Sequence, residues 1–237
     1  MATLDIEFLW PVAVAGYEIK EIDQGGLPGP YLVARGAEQR WQNPVAFHPA
    51  LFRQFADLPL APPDKAMAAF IDFASKFGLL LGPYSRMVAQ NRGADRPPIY
   101  SIFGDEEPYH LDRVELWLTH VRRLRRLVSE WDRALRAGDD ARPDYRDLLP
   151  RPTLFVDLVD RAGRPSLSFR PGSLLSAIDL QFYQAVTGTI ELKACEHCGQ
   201  WFERGLGTDR GRKARFCSDQ CRFGFNNDKR ARKGRTE

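Results

Sequence analysis

The first 194 residues contain no cysteine, and all four cysteines of the chain lie close together near its end. That scarcity excludes a disulfide-stapled scaffold for most of the molecule. Long apolar runs are missing too: none approaches the roughly 20 residues that cross a bilayer. The first ten residues, MATLDIEFLW, lack the basic-then-apolar pattern of a secretory signal. The expectation is a cytoplasmic protein with no membrane partner. No internal repeat or low-complexity tract is present. P-loop, dinucleotide fingerprint and nucleophile elbow are absent as well, since "GLGTDRG" lacks the Lys-Ser/Thr ending of a P-loop.

What is present suits a folded chain. Across 237 residues, 43% are hydrophobic and 27% charged, which argues against disorder. This length accommodates one main domain and a small appendage, expected at 1–190 and 191–237. The net charge of +3 hides an asymmetry. From Lys193 onward twelve Lys and Arg face six Asp and Glu, a balance of +6, whereas the preceding residues carry 22 against 25. A localised basic excess is the electrostatic footprint of a polyanion partner.

The pattern predicts an α+β main domain with a small antiparallel sheet and long helices. Leu4, Ile6 and Phe8 alternate in "TLDIEF", and Gly36-Ala37 breaks "YLVARGAEQRW" into two short runs, so strands are expected there. Met67, Phe70, Ile71, Ala74 and Phe77 recur at helical spacing, which predicts a helix over about 64–77 stopped by Gly78. The polar stretch from Gln90 to Pro108 is expected to be an exposed loop. Val114, Trp117, Leu118, Val121, Leu124, Val128, Trp131 and Leu135 form the strongest helical stripe. On its other side Arg122, Arg123, Arg125 and Arg126 are expected to make a solvated face. "RPTLFVDLVDRAGRPSLSF" predicts a hairpin turning at Asp160 to Gly163. Ser173 then caps a helix with Leu174, Leu175, Ile178, Phe182, Ala185 and Val186 on its apolar face, ended by Gly188.

The cysteines are spaced C-x2-C-x18-C-x3-C: Cys195, Cys198, Cys217 and Cys221. Two close pairs some twenty residues apart are what a tetrahedral Zn2+ site requires, because a short C-x2-C turn places both sulfurs about 2.3 Å from one ion. Gly199, Gly205, Gly207 and Gly211 permit the chain to fold back between the pairs, with Trp201, Phe202 and Phe216 bracketing a hairpin. In "FCSDQC", Ser218 is a helix N-cap and Asp219 suits the positive end of the helix dipole. Cys217 then lies just before a helix and Cys221 in its first turn. Knuckle, hairpin and helix together make a treble-clef arrangement. Disulfides and a thiol-redox C-x-x-C are weaker alternatives, the former for want of a secretory context and the latter because a second pair lies nearby. His197 is expected to be a solvent-facing turn residue, since four thiolates close the shell without it.

"CEHCGQWF" followed by "ARFCSDQCRFGFNNDKRARK" resembles the CGNR-type zinc fingers, which stand at the C-termini of bacterial proteins regarded as transcriptional regulators. The likeness covers about the last fifty residues. After Cys221 this chain has Arg222-Phe223-Gly224-Phe225 where the family signature puts Gly-Asn-Arg. The resemblance implies a larger N-terminal domain that senses a small-molecule effector or forms a homodimer, and a finger that regulates transcription.

A helix over 218–233 would carry Arg222, Asn226, Lys229, Arg230 and Lys233 on one face. Arg and Lys neutralise phosphates and Asn offers a paired donor and acceptor to an adenine edge, the chemistry of a helix in a DNA major groove. Arg210, Arg212, Lys213 and Arg215 would grip the flanking backbone. DNA is favoured over RNA, and a protein-interaction module is the rival reading. Gly224 sits inside this helix at a cost of about 1 kcal/mol relative to Ala, which suggests a frayed or later start. Trp201 is expected to pack on the main domain rather than stack on a base. No enzyme is expected: four thiolates leave no open position for water, and Pro108 interrupts the spacing that Glu106, Glu107 and His110 in "GDEEPYH" would need.

Overall fold

The strand signals of the N-terminal segment resolve into two small antiparallel sheets instead of one. In the computed structural model, residues 8–24, 27–81, 111–137, 152–161, 164–188, 191–204, 211 and 213–233 are described. The alternation at Leu4 and Ile6, the expected loop over 90–108 and the tip of the expected hairpin at Ala162-Gly163 lie outside them, as do Glu106, Glu107 and His110. Strand β1 (Trp10–Ala13) pairs antiparallel with β4 (Gln39–Gln42), while β2 (Tyr17–Gln24) and β3 (Leu27–Ala34) form a hairpin. The other edge of β3 takes β5 (Leu111–Arg113), with Leu32 opposite Asp112. Gly36, at φ 96°, makes the break that sends the chain from one sheet to the other.

Helix α1 (Pro44–Phe47) and helix α2 (Leu51–Ala56) follow, short elements that the periodicity does not predict. Helix α3 (Pro63–Phe77) starts with Pro at its first position, where a missing N–H costs nothing, and ends at Gly78. Its buried face is Ala66, Phe70, Phe73, Ala74 and Phe77, so Phe73 takes the inward place expected of Met67 and Ile71. Gly78 does more than stop the helix. It has φ +93°, and a Cβ there would lie 2.5 Å from the Pro11 carbonyl oxygen and 2.7 Å from the Trp10 ring. Only glycine lets β1 cross the end of α3 this closely. The crossing is fixed by the Trp10 indole N–H, which donates to the Leu79 carbonyl at 2.8 Å.

Helix α4 (Val114–Ala137) buries Val114, Trp117, Val121, Leu124, Leu127 and Val128, as its 3.6-residue stripe predicts. Trp117 is the hub: Phe55, Phe70 and Phe73 stand 5.9, 5.4 and 5.9 Å from it, ring centre to ring centre. Beneath it the buried Asp112 carboxylate accepts from the Trp117 indole at 3.1 Å and the Leu80 amide at 2.6 Å, which satisfies a charge in the core. Leu135, near the end of the helix, departs from the stripe at 62% exposure.

The solvated arginine face needs a larger correction. Arg123 ion-pairs with Asp179 at 2.6 Å, and Arg125 donates to the Ala56 carbonyl at 2.8 Å and to that of Leu58. Arg122 and Arg126 alone of the four face solvent. Burial pushes the Asp179 carboxyl up to about 6 despite the adjoining Arg123 guanidinium.

Strands β6 (Leu154–Arg161) and β7 (Arg164–Pro171) form the expected hairpin, in register from Leu154 opposite Pro171 to Arg161 opposite Arg164. Helix α5 (Leu174–Val186) has its expected cap: the Ser173 hydroxyl oxygen accepts the Ser176 N–H at 3.0 Å. Leu174, Ala177, Ile178, Phe182 and Ala185 complete the core between α2 and the hairpin. The protein is thus α+β, and among the described residues no helix is long and apolar enough to cross a membrane.

Candidate metal centre

After α5 the chain enters a second hairpin, β8 (Glu191–Ala194) paired antiparallel with β9 (Trp201–Arg204). Ala194 stands opposite Trp201, so Cys195 to Gln200 form the turn between them. The Cys195 N–H donates to the Gln200 carbonyl at 2.8 Å and the Gly199 N–H to that of Cys195 at 2.9 Å. This tight turn brings Cys195 and Cys198 to the same side. The second pair comes from the start of helix α6 (Asp219–Lys233). Ser218 caps it as expected, its hydroxyl accepting the Cys221 N–H at 3.1 Å.

The four sulfurs lie within 4.8 Å of one another. Cys198 and Cys217 are 3.6 Å apart, and Cys217 and Cys221 3.5 Å. A tetrahedral ion with metal–sulfur bonds of about 2.3 Å has sulfur–sulfur edges of about 3.8 Å. A disulfide requires about 2.05 Å, and all four cysteines are free. The cluster therefore has the size of a metal site and could hold one ion. All four candidate ligands, Cys195, Cys198, Cys217 and Cys221, converge.

The thiols of the cluster are shifted in opposite directions. Burial pushes the Cys195 thiol up, but backbone N–H groups of Cys198, Cys217 and His197 outweigh it and bring the thiol down to about 6. One such donor is the Cys217 N–H, 3.4 Å from Cys195 Sγ. Burial and the neighbouring sulfurs push Cys217 the other way, up to about 12, and Cys198 is raised also. Cys195 is thus favoured as a thiolate, while Cys217 and Cys198 are held as thiols. A divalent ion held there would favour the thiolate form of its sulfur ligands.

Around the centre, Glu196 ties the knuckle to the approach to α6. Its N–H donates to the Arg215 carbonyl at 3.1 Å, and its carboxylate accepts from Arg215 Nε at 2.8 Å. Hydrogen bonds from Arg215 hold the Glu196 carboxylate down to about 2, with Lys193 contributing at 3.3 Å. On the far side of Arg215 are the Phe216 and Phe225 rings, themselves 5.2 Å apart.

Two expectations about the knuckle change. His197 is not simply solvent-facing: its ring lies on α6, with Nδ1 3.7 Å from Asp228. A Cβ on Gly224 would sit 2.6 Å from His197 Nε2. Gly224 accordingly marks a close approach of knuckle and helix, and α6 runs unbroken through it. Trp201, by contrast, behaves as expected, stacking 4.0 Å from the buried Arg53 guanidinium of α2. Arg53 is only 6% exposed, pairs with Asp132 at 2.7 Å and also lies over Trp131 at 4.9 Å. No sequence signal marks Arg53 as the residue that receives Trp201.

The basic residues divide into distinct groups. Arg222, Asn226 and Lys229 are exposed on α6. Arg222 leans towards Asp219 at 3.4 Å and over the Phe223 ring at 5.2 Å. Lys213 is exposed beside the start of the helix, on a cleft of about 360 Å3 shared with Arg215, Phe216 and Arg222. Arg215, expected to grip a phosphate backbone, is instead paired to Glu196. Arg230 and Lys233 lie on the backbone of α6, while Arg210 and Arg212 fall outside the described residues. Sequence reasoning missed Phe223, an apolar residue of α6 that is 60% exposed, and Asn227 beside it. No protein-family model, curated protein or solved structure matches the chain, so its own geometry carries the functional argument.

Proposed function

We propose that the ion is a structural Zn2+, that knuckle, hairpin and α6 form a treble-clef finger, and that this finger binds DNA in a transcriptional regulator. The observation that carries the reading is the origin of α6 at the four-sulfur cluster with Arg222, Asn226 and Lys229 exposed on one side. At about 100° per residue, positions 222, 226 and 229 fall within a narrow arc. That arc offers two phosphate-neutralising cations around an amide that matches an adenine edge. The +6 balance after residue 192 supports a polyanion partner, and four thiolates closing the ion assign it a structural role. By the layout it resembles, the preceding domain would sense an effector or form a homodimer.

Two measurements on the full chain test this. Metal analysis should give one zinc per chain; iron, which a four-sulfur tetrahedron also suits, would change the identity of the ion. Titration of a mixed-sequence DNA duplex at rising salt should show affinity falling by a power of about 0.9 per phosphate contacted. Replacing Arg222 and Lys229 with Ala should lower that power by about 2. Absence of DNA binding, or an affinity indifferent to salt, would favour a protein-interaction module.

A further inference from the structure

Phe223 is 60% exposed in a helix whose other described aromatic, Phe225, is packed against Phe216. Two residues of α-helix turn a side chain through about 200°, so Cys221 and Phe225 face the centre while Phe223 faces directly away from it. Its exposed neighbours are Asp219, Gln220, Arg222, Asn226 and Asn227, and the helix backbone continues under the same face to Arg230. The arginine lies along the ring, its guanidinium carbon 5.2 Å from the centroid. An apolar ring thus stands in a polar face of one cation, three amides and the Asp219 carboxylate that Arg222 pairs with.

We propose that Phe223 reads sequence by packing on the C5-methyl group of a thymine in the DNA major groove. This rests on the DNA-binding reading above and adds the base it selects. Thymine alone among the bases presents an apolar group in that groove, and the major groove alone admits an α-helix. The surrounding residues match the same surface: phosphates flank the groove and base edges accept amides. An apolar protein cleft fits less well, because closing over the ring would strip water from the exposed Asn226 and Asn227 amides and offer them no hydrogen bonds. The inner face of α6 holds the ion and the outer face then positions with charge and discriminates with the ring.

The probe is a duplex of alternating A·T pairs, about 20 base pairs or two turns long, and the same duplex with deoxyuridine replacing every thymidine. The exchange removes only the methyl groups. The full-length protein should bind the thymine duplex about four-fold more tightly, the effect of withdrawing one methyl group from water. Phe223→Ala, whose metal content and circular dichroism should match the parent, should bind both duplexes equally and at the parent's weaker affinity. Equal binding of the two duplexes by the parent, or a retained preference in Phe223→Ala, overturns the inference and leaves DNA binding standing. Failure to bind either duplex removes the DNA-binding reading and this one with it.

Discussion

The part of the chain up to α5 and the part after it are held together by different physics. In the first, Phe52, Phe55, Phe70, Trp117 and Phe182 are completely buried and pack ring against ring. In the second, among the described residues, Cys195 and Phe202 are the only apolar side chains withdrawn from water. A segment this short with so little to bury cannot offset the entropy of ordering its backbone. Its hairpin and helix meet at four sulfurs, and an ion held by those sulfurs would supply what a core does. The two parts touch where Trp201 covers Arg53, a charge lodged between aromatic faces. On the proposed reading, burial of apolar surface and coordination are alternative answers to one problem, and perturbing one should spare the other.

The largest effect should come from the sulfurs. Cys217→Ser, or a strong chelator, should release the ion and unfold β8, β9 and α6, because binding of a structural ion is worth about 10–16 kcal/mol in isolated zinc fingers. Circular dichroism should lose the α6 contribution while the thermal transition of the main body persists; collapse of both parts together would break the distinction. Next, Trp117→Ala should cost the main body about 3–5 kcal/mol in urea, by opening a cavity among Phe55, Phe70 and Phe73. The metal stoichiometry should stay at its parental value. Trp201→Ala removes the stack on Arg53, worth about 1 kcal/mol, and should separate the melting of the two parts without unfolding either. The smallest effect is the most discriminating. Gly224→Ala should forgo the usual helix gain of about 1 kcal/mol because its Cβ meets His197, and the gain should return when His197→Ala is added. Unfolding midpoints of the tail for the four variants of that cycle decide it.

Legibility differed between the parts for the same physical reason. A fifteen-residue helix such as α3 repeats its apolar period enough times to be recognised, and Ser173 and Gly78 announce helix ends by chemistry that acts locally. Cysteine spacing is equally local, so the convergence of four sulfurs was legible without knowledge of the rest. Helix α2, six residues long, is too short to show a period. Arg123 and Arg125 sit where periodicity puts solvent, yet each finds a partner more than fifty residues away. Arg53 goes further against type, since only its placement beside Asp132, Trp131 and Trp201 makes a buried guanidinium affordable. Near the centre, the pairing of Arg215 with Glu196 and the seat of His197 over Gly224 depend on how knuckle and helix meet, which spacing alone does not specify.

The central claim is that one ion bound by four sulfurs organises the tail. X-ray absorption at the metal edge of the purified full-length protein tests it directly. The account predicts one ion per chain with four sulfur neighbours at about 2.3 Å and no oxygen or nitrogen ligand. Protein that folds its tail with no metal bound, or an ion surrounded by lighter ligands, would contradict it.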